Sequence, residues 1–322
     1  MKLCIHRGTH QIGGIAAEIS TASTRILIDM GDELSLDPNF VSAPLNIPGV
    51  TDGNGHCDAV LFTHYHGDHT GQMLRIRPEI PIYAGALAKD IMRLSSAHSW
   101  KKDEALCKRI ETIRTFSAGV PFLIGDIQIT PFCIDHSACD SYLFLIEADG
   151  KRLLYTGDFR LHGVRGNVMD KILDKRIGKV DVVVTEGTTV SRSEHEVVTE
   201  WDLQKRVKAY LRQYKYVFVL CATTNLDRIF ALARAVPRGK YCICDDYQKT
   251  LVETVSKHWN GISSFYEMPK LLSFKYHPPA RFAELGGLMF VRANSKFEAI
   301  IRQYDPAQSI LLYSMWDGYR TK

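Results

Sequence analysis

The segment Ala59–Gly71 constrains this chain more than any other: Ala-Val-Leu-Phe runs directly into Thr-His-Tyr-His-Gly-Asp-His-Thr-Gly. Four apolar residues in a row predict a buried strand. The fold must therefore end an interior strand in three histidines and one aspartate within six residues. Imidazole and carboxylate are the side chains that hold zinc and related divalent ions. His64 and His66 leave an extended segment two residues apart, so they project to the same side. Asp68 and His69 follow the bend at Gly67 and can turn toward a neighbouring ion. One tetrahedral ion is a poor match for four ligands from so tight a turn, so two ions are expected. The competing reading is a solvated histidine-rich loop; the pattern points to a metal site.

Two later segments carry the same chemistry. Asp135-His136-Ser137 follows the strand-like run Ile127–Phe132, and Thr156-Gly157-Asp158-Phe159-Arg160 follows Arg152–Tyr155. The string HYHGDH resembles the HxHxDH signature of the metallo-β-lactamase superfamily. TGDFR is similar to the segment that carries that superfamily's metal-bridging aspartate. The resemblance covers roughly the first 190 residues. It implies an α/β fold, an αββα sandwich, with two divalent ions at one edge. By the same resemblance His64, His66 and His136 hold one ion, Asp68 and His69 the other, and Asp158 bridges them. The ligand types suit zinc best, with manganese as the second option. Two ions sharing a carboxylate bring the pKa of a water between them toward neutrality. Asp68, which could also hydrogen-bond that water, and Asp158 are the candidate catalytic residues.

A chain of 322 residues with 45% hydrophobic content is comfortable for two domains, read as 1–195 and 196–322. The first is strand-rich. Lys2–Arg7, Ile15–Ile19 and Arg25–Asp29 read as strands, followed by helices from His69 and over Gly85–Ser96. Thr112–Phe116, Ile127–Phe132, Tyr142–Glu147 and Arg152–Thr156 are expected to make a second sheet, with a hairpin turn at Asp149-Gly150. From Val197 the chain alternates. Helices are expected over Val197–Gln213, Leu226–Ala235 and Gln248–Trp259, and strands over Tyr216–Cys221, Tyr241–Cys244 and Ser309–Met315. That order predicts a small, mostly parallel sheet.

The order also resembles the β-CASP branch of the superfamily, in which an α/β cap is inserted into the metal domain and nucleic acid lies between them. Glu186 ends a strand where that branch places its first acidic motif. Ala222–Arg228 is similar to a strand-to-helix turn of ribonuclease J-like proteins, and Ser314–Tyr319 falls where the cap chain begins its return. The sequence departs from the pattern in one respect. In the branch the chain re-enters the metal domain with further histidines, one of them a ligand of the second metal, whereas here no histidine follows His277 and the sequence ends at Lys322. Either a cap lacking its return segment is expected, with the second metal held more weakly by Asp68, His69 and Asp158 alone, or a second-metal site built differently from the branch's.

Glu186, Arg160, Asn225 and Arg228 are the candidate substrate-binding residues. Glu186 equally suits orienting a ligand imidazole. Thr224 and Asn225 open a helix whose free N–H groups favour an anion, although both residue types are also common N-caps. Lys205, Arg206, Lys208 and Arg212 read as a solvated helix face, and Tyr65 as a base-stacking or packing residue. Of the remaining histidines, which lack ligand spacing, His10 and His162 stand out because each lies near a strand-end loop.

The net charge of +4 permits nucleic-acid binding without arguing for it. Eight scattered cysteines without a CxxC pair favour a reducing cytoplasm, and Cys242 and Cys244 read as core packing. No run of eighteen apolar residues suggests a membrane span, and the N-terminus lacks a signal-like segment. A homo-oligomer stays open. The resemblance implies a metal-dependent phosphodiesterase or ribonuclease acting on RNA or single-stranded DNA. A small-molecule metallo-hydrolase of the same fold, cutting a thioester, lactone or cyclic phosphodiester, is the alternative. A degenerate RNA-binding partner is a third reading, against which the complete ligand set argues.

Overall fold

Short apolar runs assemble residues 1–161 and 165–195 into two stacked sheets. The computed structural model describes residues 1–35, 37, 39–99, 102–188, 190 and 198–315. The first sheet contains β1 (Lys2–Arg7), β2 (Ala16–Ser20), β3 (Arg25–Ile28), β4 (Ala59–Leu61), β5 (Ile82–Gly85) and β6 (Arg114–Phe116) in that spatial order. Its first three strands are antiparallel and β3 to β6 run parallel. The second contains β7 (Phe122–Ile124), β8 (Ile127–Ile134), β9 (Ser141–Ala148), β10 (Lys151–Tyr155) and β11 (Val182–Val184), in the order β11-β10-β9-β8-β7. Asp149 and Gly150 both take positive φ, 51° and 67°, which closes the tight hairpin between β9 and β10.

The sheets face one another across one core. Ile19, Ile26, Ile28 and Leu61 from the first meet Ile129, Phe144, Ile146 and Tyr155 from the second. On its other face the second sheet buries Phe132, Leu143 and Leu154 with Met169 and Ile172 of the helix Val168–Ile172. Both faces of β8 and β9 are covered, so these strands are almost wholly buried. On the far side, the helix Ala86–His98 contacts β5 and β6 and buries Leu87, Ile91 and Met92. The layers are therefore helix, sheet, sheet, helix, the αββα sandwich expected from the motifs. Gly85 precedes that helix and has no side chain to cap it. Asp140 reaches in instead, accepting from the N–H of Ala88 at 2.7 Å. A β-carbon on Gly85 would meet the Asp140 carboxylate at 2.2 Å.

Residues 162–164 and 196–322 make the second compact unit. Its sheet has β12 (Tyr216–Cys221), β13 (Tyr241–Asp245), β14 (Leu272–Phe274), β15 (Gly287–Val291) and β16 (Ser309–Ser314), ordered β14-β13-β15-β12-β16. Every pairing is parallel. Helices Glu200–Gln213, Leu226–Ala233 and Asp246–His258 alternate with the first strands. Cys242 and Cys244 are buried on β13, as expected of core residues.

Several expected elements differ. The sequence pattern puts Thr112–Phe116 in the second sheet, but Arg114–Phe116 pairs in parallel with β5 and closes the first. A three-residue strand has no pattern that names its partner; the helices before it deliver it to β5. The helix expected from His69 is one turn, Gly67–Thr70, followed by a 3-10 turn at Met73–Arg75. β5, β7, β14 and β15 have no counterpart among the expected strands. β15 is the central strand of its sheet, yet it opens on Gly286-Gly287, which reads as a turn. A β-carbon on Gly287 would lie 1.9 Å from the carbonyl oxygen of Tyr241, so the glycine is there to let β13 approach. Val197, His195 and Trp316–Tyr319 lie outside the described residues.

Candidate metal centre

β4 delivers the chain to the sandwich edge. The N–H of Phe62 donates to Tyr83 O at 2.8 Å, and Thr63 O accepts from the N–H of Tyr142 at 3.0 Å, joining the ends of the two sheets. The histidines follow at once. Nε2 of His64 lies 3.1 Å from Nδ1 of His66, which lies 3.3 Å from Nε2 of His136. The donor atoms of these three residues fall within 4.8 Å of one another, as do those of His64, Asp68 and His69. Nε2 of His69 stands 3.8 Å from Oδ2 of Asp68 and 3.4 Å from Oδ2 of Asp158. Six side chains from three loops thus meet at one edge.

Asp29, absent from the residues singled out in the sequence, organises this cluster. It is fully buried just beyond β3, at φ 60°, a left-handed conformation that aspartate tolerates better than most residues. Its Oδ1 accepts from the N–H of Thr63 at 2.8 Å; its Oδ2 lies 2.9 Å from Thr63 Oγ1 and 2.8 Å from Nδ1 of His69. A carboxylate only accepts, so Thr63 and His69 Nδ1 both donate to it. With its proton given to Asp29, Thr63 Oγ1 accepts from Nδ1 of His64 at 3.1 Å. Nε2 is then the nitrogen that each of His64 and His69 has left for a metal. One aspartate sets the tautomer of two histidines. The backbone beyond it clamps the turn: Met30 N–H donates to His69 O at 2.8 Å and Asp32 N–H to Gly67 O at 3.0 Å. Gly31 makes this approach possible, because a β-carbon there would fall 1.6 Å from the carbonyl oxygen of Asp68.

Burial and mutual proximity shape the charges. Burial, reinforced by neighbouring imidazoles, holds His64 and His136 well below the ordinary histidine range and takes His66 down to about 4. Neutral imidazole is the form that ligates. For His69, burial alone would lower the pKa, but the Asp29 and Asp158 carboxylates outweigh it and raise the value. Burial would raise Asp158, yet His69 and the other imidazoles bring it down to about 2. Burial raises Asp68. His69 Nε2 is buried without a hydrogen-bond partner. An orphaned imidazole nitrogen facing two carboxylates, beside three converging imidazoles, is a donor set that fits divalent ions.

Comparison with known proteins agrees with this geometry. The profile of a beta-lactamase superfamily domain matches residues 24–219, more than half of the chain. The chain belongs to the β-lactamase superfamily. It is 25% identical over 281 residues to transcription termination factor FttA of Methanothermobacter thermautotrophicus, covering 79% of this chain and 41% of that protein. It is 28% identical over 194 residues to an RNase J-like protein of Methanocaldococcus jannaschii, covering 58% and 42%. Endoribonuclease YSH1 of Mycosarcoma maydis is 30% identical over 155 residues, 41% of this chain and 17% of that one. The chain therefore spans well under half the length of these relatives. A crystal structure of a protein of unknown function from Enterococcus faecalis V583 superimposes with a TM-score of 0.70 at 16% identity, covering 98% of this chain and 88% of that one, a likeness of fold. The resemblance to ribonuclease J-like proteins read from the motifs is borne out.

Within the superfamily domain, Asp68, His69 and Asp158 line a cavity of about 540 Å³, together with His10, Glu186 and Thr188. Glu186 accepts from the N–H of Phe159 at 2.8 Å and so holds the loop that carries Asp158. Arg160, expected to meet substrate charge, is turned inward: its Nε donates to Asp135 Oδ1 at 2.6 Å, and its backbone N–H to Asp135 O at 2.8 Å. The pair is nearly buried and braces the loop carrying His136. Tyr65 is packed, its hydroxyl accepting from the N–H of Cys139 at 3.1 Å. Asn225 and Arg228 belong to the other compact unit, as does His162. Asn225 caps the helix Leu226–Ala233 through the N–H of Arg228. Arg228 grips Glu200 with Nε at 3.0 Å and Nη2 at 2.7 Å, and donates to Ser314 Oγ at 2.8 Å. Its guanidinium is committed to a buried carboxylate instead of a phosphate. The signal for Asp29 was a lone carboxylate closing an apolar run, legible only once the neighbouring strand end was in place.

Proposed function

We propose that the chain is a metal-dependent phosphodiesterase that cleaves RNA or single-stranded DNA, using two divalent ions, zinc by preference and manganese as the alternative. The observation that carries this reading is the convergence of six ligand-type side chains, in two adjacent sets, at one edge of a superfamily sandwich. The names of relatives, an RNase J-like protein and an endoribonuclease among them, support nucleic acid as substrate. His64, His66 and His136 would hold one ion, Asp68 and His69 the other, and Asp158 both. When bound, the ions supply Lewis-acid polarisation and bring a water within reach of ionisation near neutral pH.

The remaining work falls to the chain's own residues. Asp29 directs His64 and His69 by fixing their Nδ1 protons, directly for His69 and through Thr63 for His64. Glu186 fixes the Asp158 loop, and the Asp135–Arg160 pair fixes His136. Arg160 and Arg228 serve as positioning residues, since buried carboxylates engage both. Asp68 and Asp158 face the cavity where a scissile phosphate would sit. Residues 1–195 would form the metal domain and 196–322 the cap, working in a reducing cytoplasm. A cavity of about 540 Å³ also suits a small ester, which favours the second reading, a small-molecule hydrolase of the same fold.

End-labelled single-stranded RNA incubated with zinc or manganese tests the proposal against Asp68→Ala. Cleavage that needs metal and disappears in the variant is the expected outcome. Intact RNA alongside hydrolysis of a thioester or lactone would move the assignment to the small-molecule reading. Metal analysis of Asp158→Ala should show a lower metal content than the unmodified chain.

A further inference from the structure

The helix Glu200–Gln213 buries Val207 and Leu211 and leaves another face open. At about 100° per residue, positions 201, 205, 208 and 212 fall within roughly 60° of one another. They are Trp201, Lys205, Lys208 and Arg212, all exposed. The stripe runs about 16 Å along the helix. It contains no carboxylate. Glu200 is buried against Arg228, and Asp202 is occupied by the capping box with Thr199. The pair of Lys205 with Asp202, 3.2 Å apart and solvent-exposed on both sides, is of the kind that contributes little and releases easily.

Trp201 is 47% exposed. Its ring edge is braced against Phe265, 6.2 Å away at 81°. The guanidinium of Arg234 sits 5.7 Å over the ring of Phe265 and is pinned by the carbonyls of Ser264 and Phe265. Gln204 ties the helix to its neighbour by donating to Ala231 O at 2.7 Å. Arg234, Phe265 and Trp201 stand at one end, and Lys205, Lys208 and Arg212 continue along the helix.

We propose that this track binds the backbone of single-stranded RNA, with the lysines and arginine following phosphates and Trp201 stacking a base. The inference rests on the reading of the chain as a nuclease and adds a binding surface outside the metal centre. Cations at regular spacing beside an immobilised, half-exposed aromatic ring are how single strands are held without sequence preference. A protein interface depletes charged residues, lysine above all, at its core, and the stripe offers one large apolar side chain among cations. A duplex would use the cations but leave the indole without a role.

Fluorescence anisotropy of a labelled, unstructured oligouridine in EDTA measures binding without cleavage. Replacing Lys205, Lys208 and Arg212 with alanine should weaken binding at low salt and reduce the slope of log affinity against log salt by about 2. Trp201→Ala should cost on the order of tenfold and abolish the quenching of indole fluorescence by the bound strand. A control that removes three exposed cations elsewhere, Lys2, Lys171 and Arg302, should change neither. Hydrolysis of bis(4-nitrophenyl) phosphate by the metal-loaded chain should be the same in all variants. If the triple variant binds as the unmodified chain does, or if the unmodified chain binds no single strand, the surface is refuted. Cleavage of the small phosphodiester then reports separately on the metal centre.

Discussion

At the scale of single residues, the centre depends on side chains that would never touch an ion. Asp29 accepts hydrogen bonds from Thr63 and from His69 Nδ1, which leaves Nε2 of His69 as the ring nitrogen facing Asp68 and Asp158, buried and without a hydrogen-bond partner. Asp29→Asn keeps the shape but places an amide where three donors need acceptors. Ligand-orienting partners of this kind are worth about 10- to 100-fold in metal affinity. A loss of that size, measured by competition with a chromophoric chelator, is the expected result. Unchanged affinity would mean that the imidazoles are oriented by packing alone. Asp29 also occupies φ 60°. Its carboxylate and its backbone conformation serve the same end, since the left-handed residue turns the chain so that Met30 can bond to His69 O.

At the scale of elements, the strand ends place the chemistry and the middles provide the stability. β4 is only three residues long, but it lies between β3 and β5, and its C-terminal end sets where His64 begins. In the second unit the same logic applies to β15, which pairs with both β12 and β13. Phe290 on that strand is fully buried. Phe290→Ala should cost about 3–5 kcal/mol by loss of burial and creation of a cavity. Urea unfolding would report it as a lower midpoint at unchanged slope. A cost below about 1 kcal/mol would show that neighbouring helices collapse into the space. β15 was hidden in the sequence because four apolar residues after a glycine pair fit a turn and a buried strand equally well.

For the molecule as a whole, the imidazole cluster couples folding to pH. With metal removed, His64 and His136 are held well below the ordinary value of 6.5, and His66 at about 4. As pH falls below 6.5 the unfolded chain gains protons that these three folded histidines refuse, so stability falls with pH toward about 4. His69 has the opposite sign. Its raised pKa contributes stability below 6.5 that is lost as pH rises through its folded value. Below 6.5 the His69 contribution is already complete and constant, so the other three make acid the destabilising direction, and the metal-free chain should be most stable near neutrality. Calorimetric melting of the EDTA-treated protein from pH 7 to pH 5 would check this, a flat profile being the contrary result. Added zinc should raise the melting temperature, most at neutral pH where the ligands are unprotonated. No helix among the described residues is long and apolar enough to cross a membrane, and all eight cysteines are free thiols.

The ligand residues were legible in the sequence because metal chemistry is local. His64, His66, Asp68 and His69 lie within one turn, and His136 and Asp158 each sit at the end of an apolar run that announces its own strand. The sandwich was legible for the same reason, since strand periodicity survives without knowledge of partners. What supports those ligands was decided only by the tertiary structure. Asp29 reaches His69 across 40 positions, Asp135 reaches Arg160 across 25, and Glu200 reaches Arg228 across 28. Each is a charged group whose role depends on which opposite charge or donor the fold brings to it. A sequence records that a carboxylate exists; its partner is fixed when burial makes an unpaired charge too costly to leave.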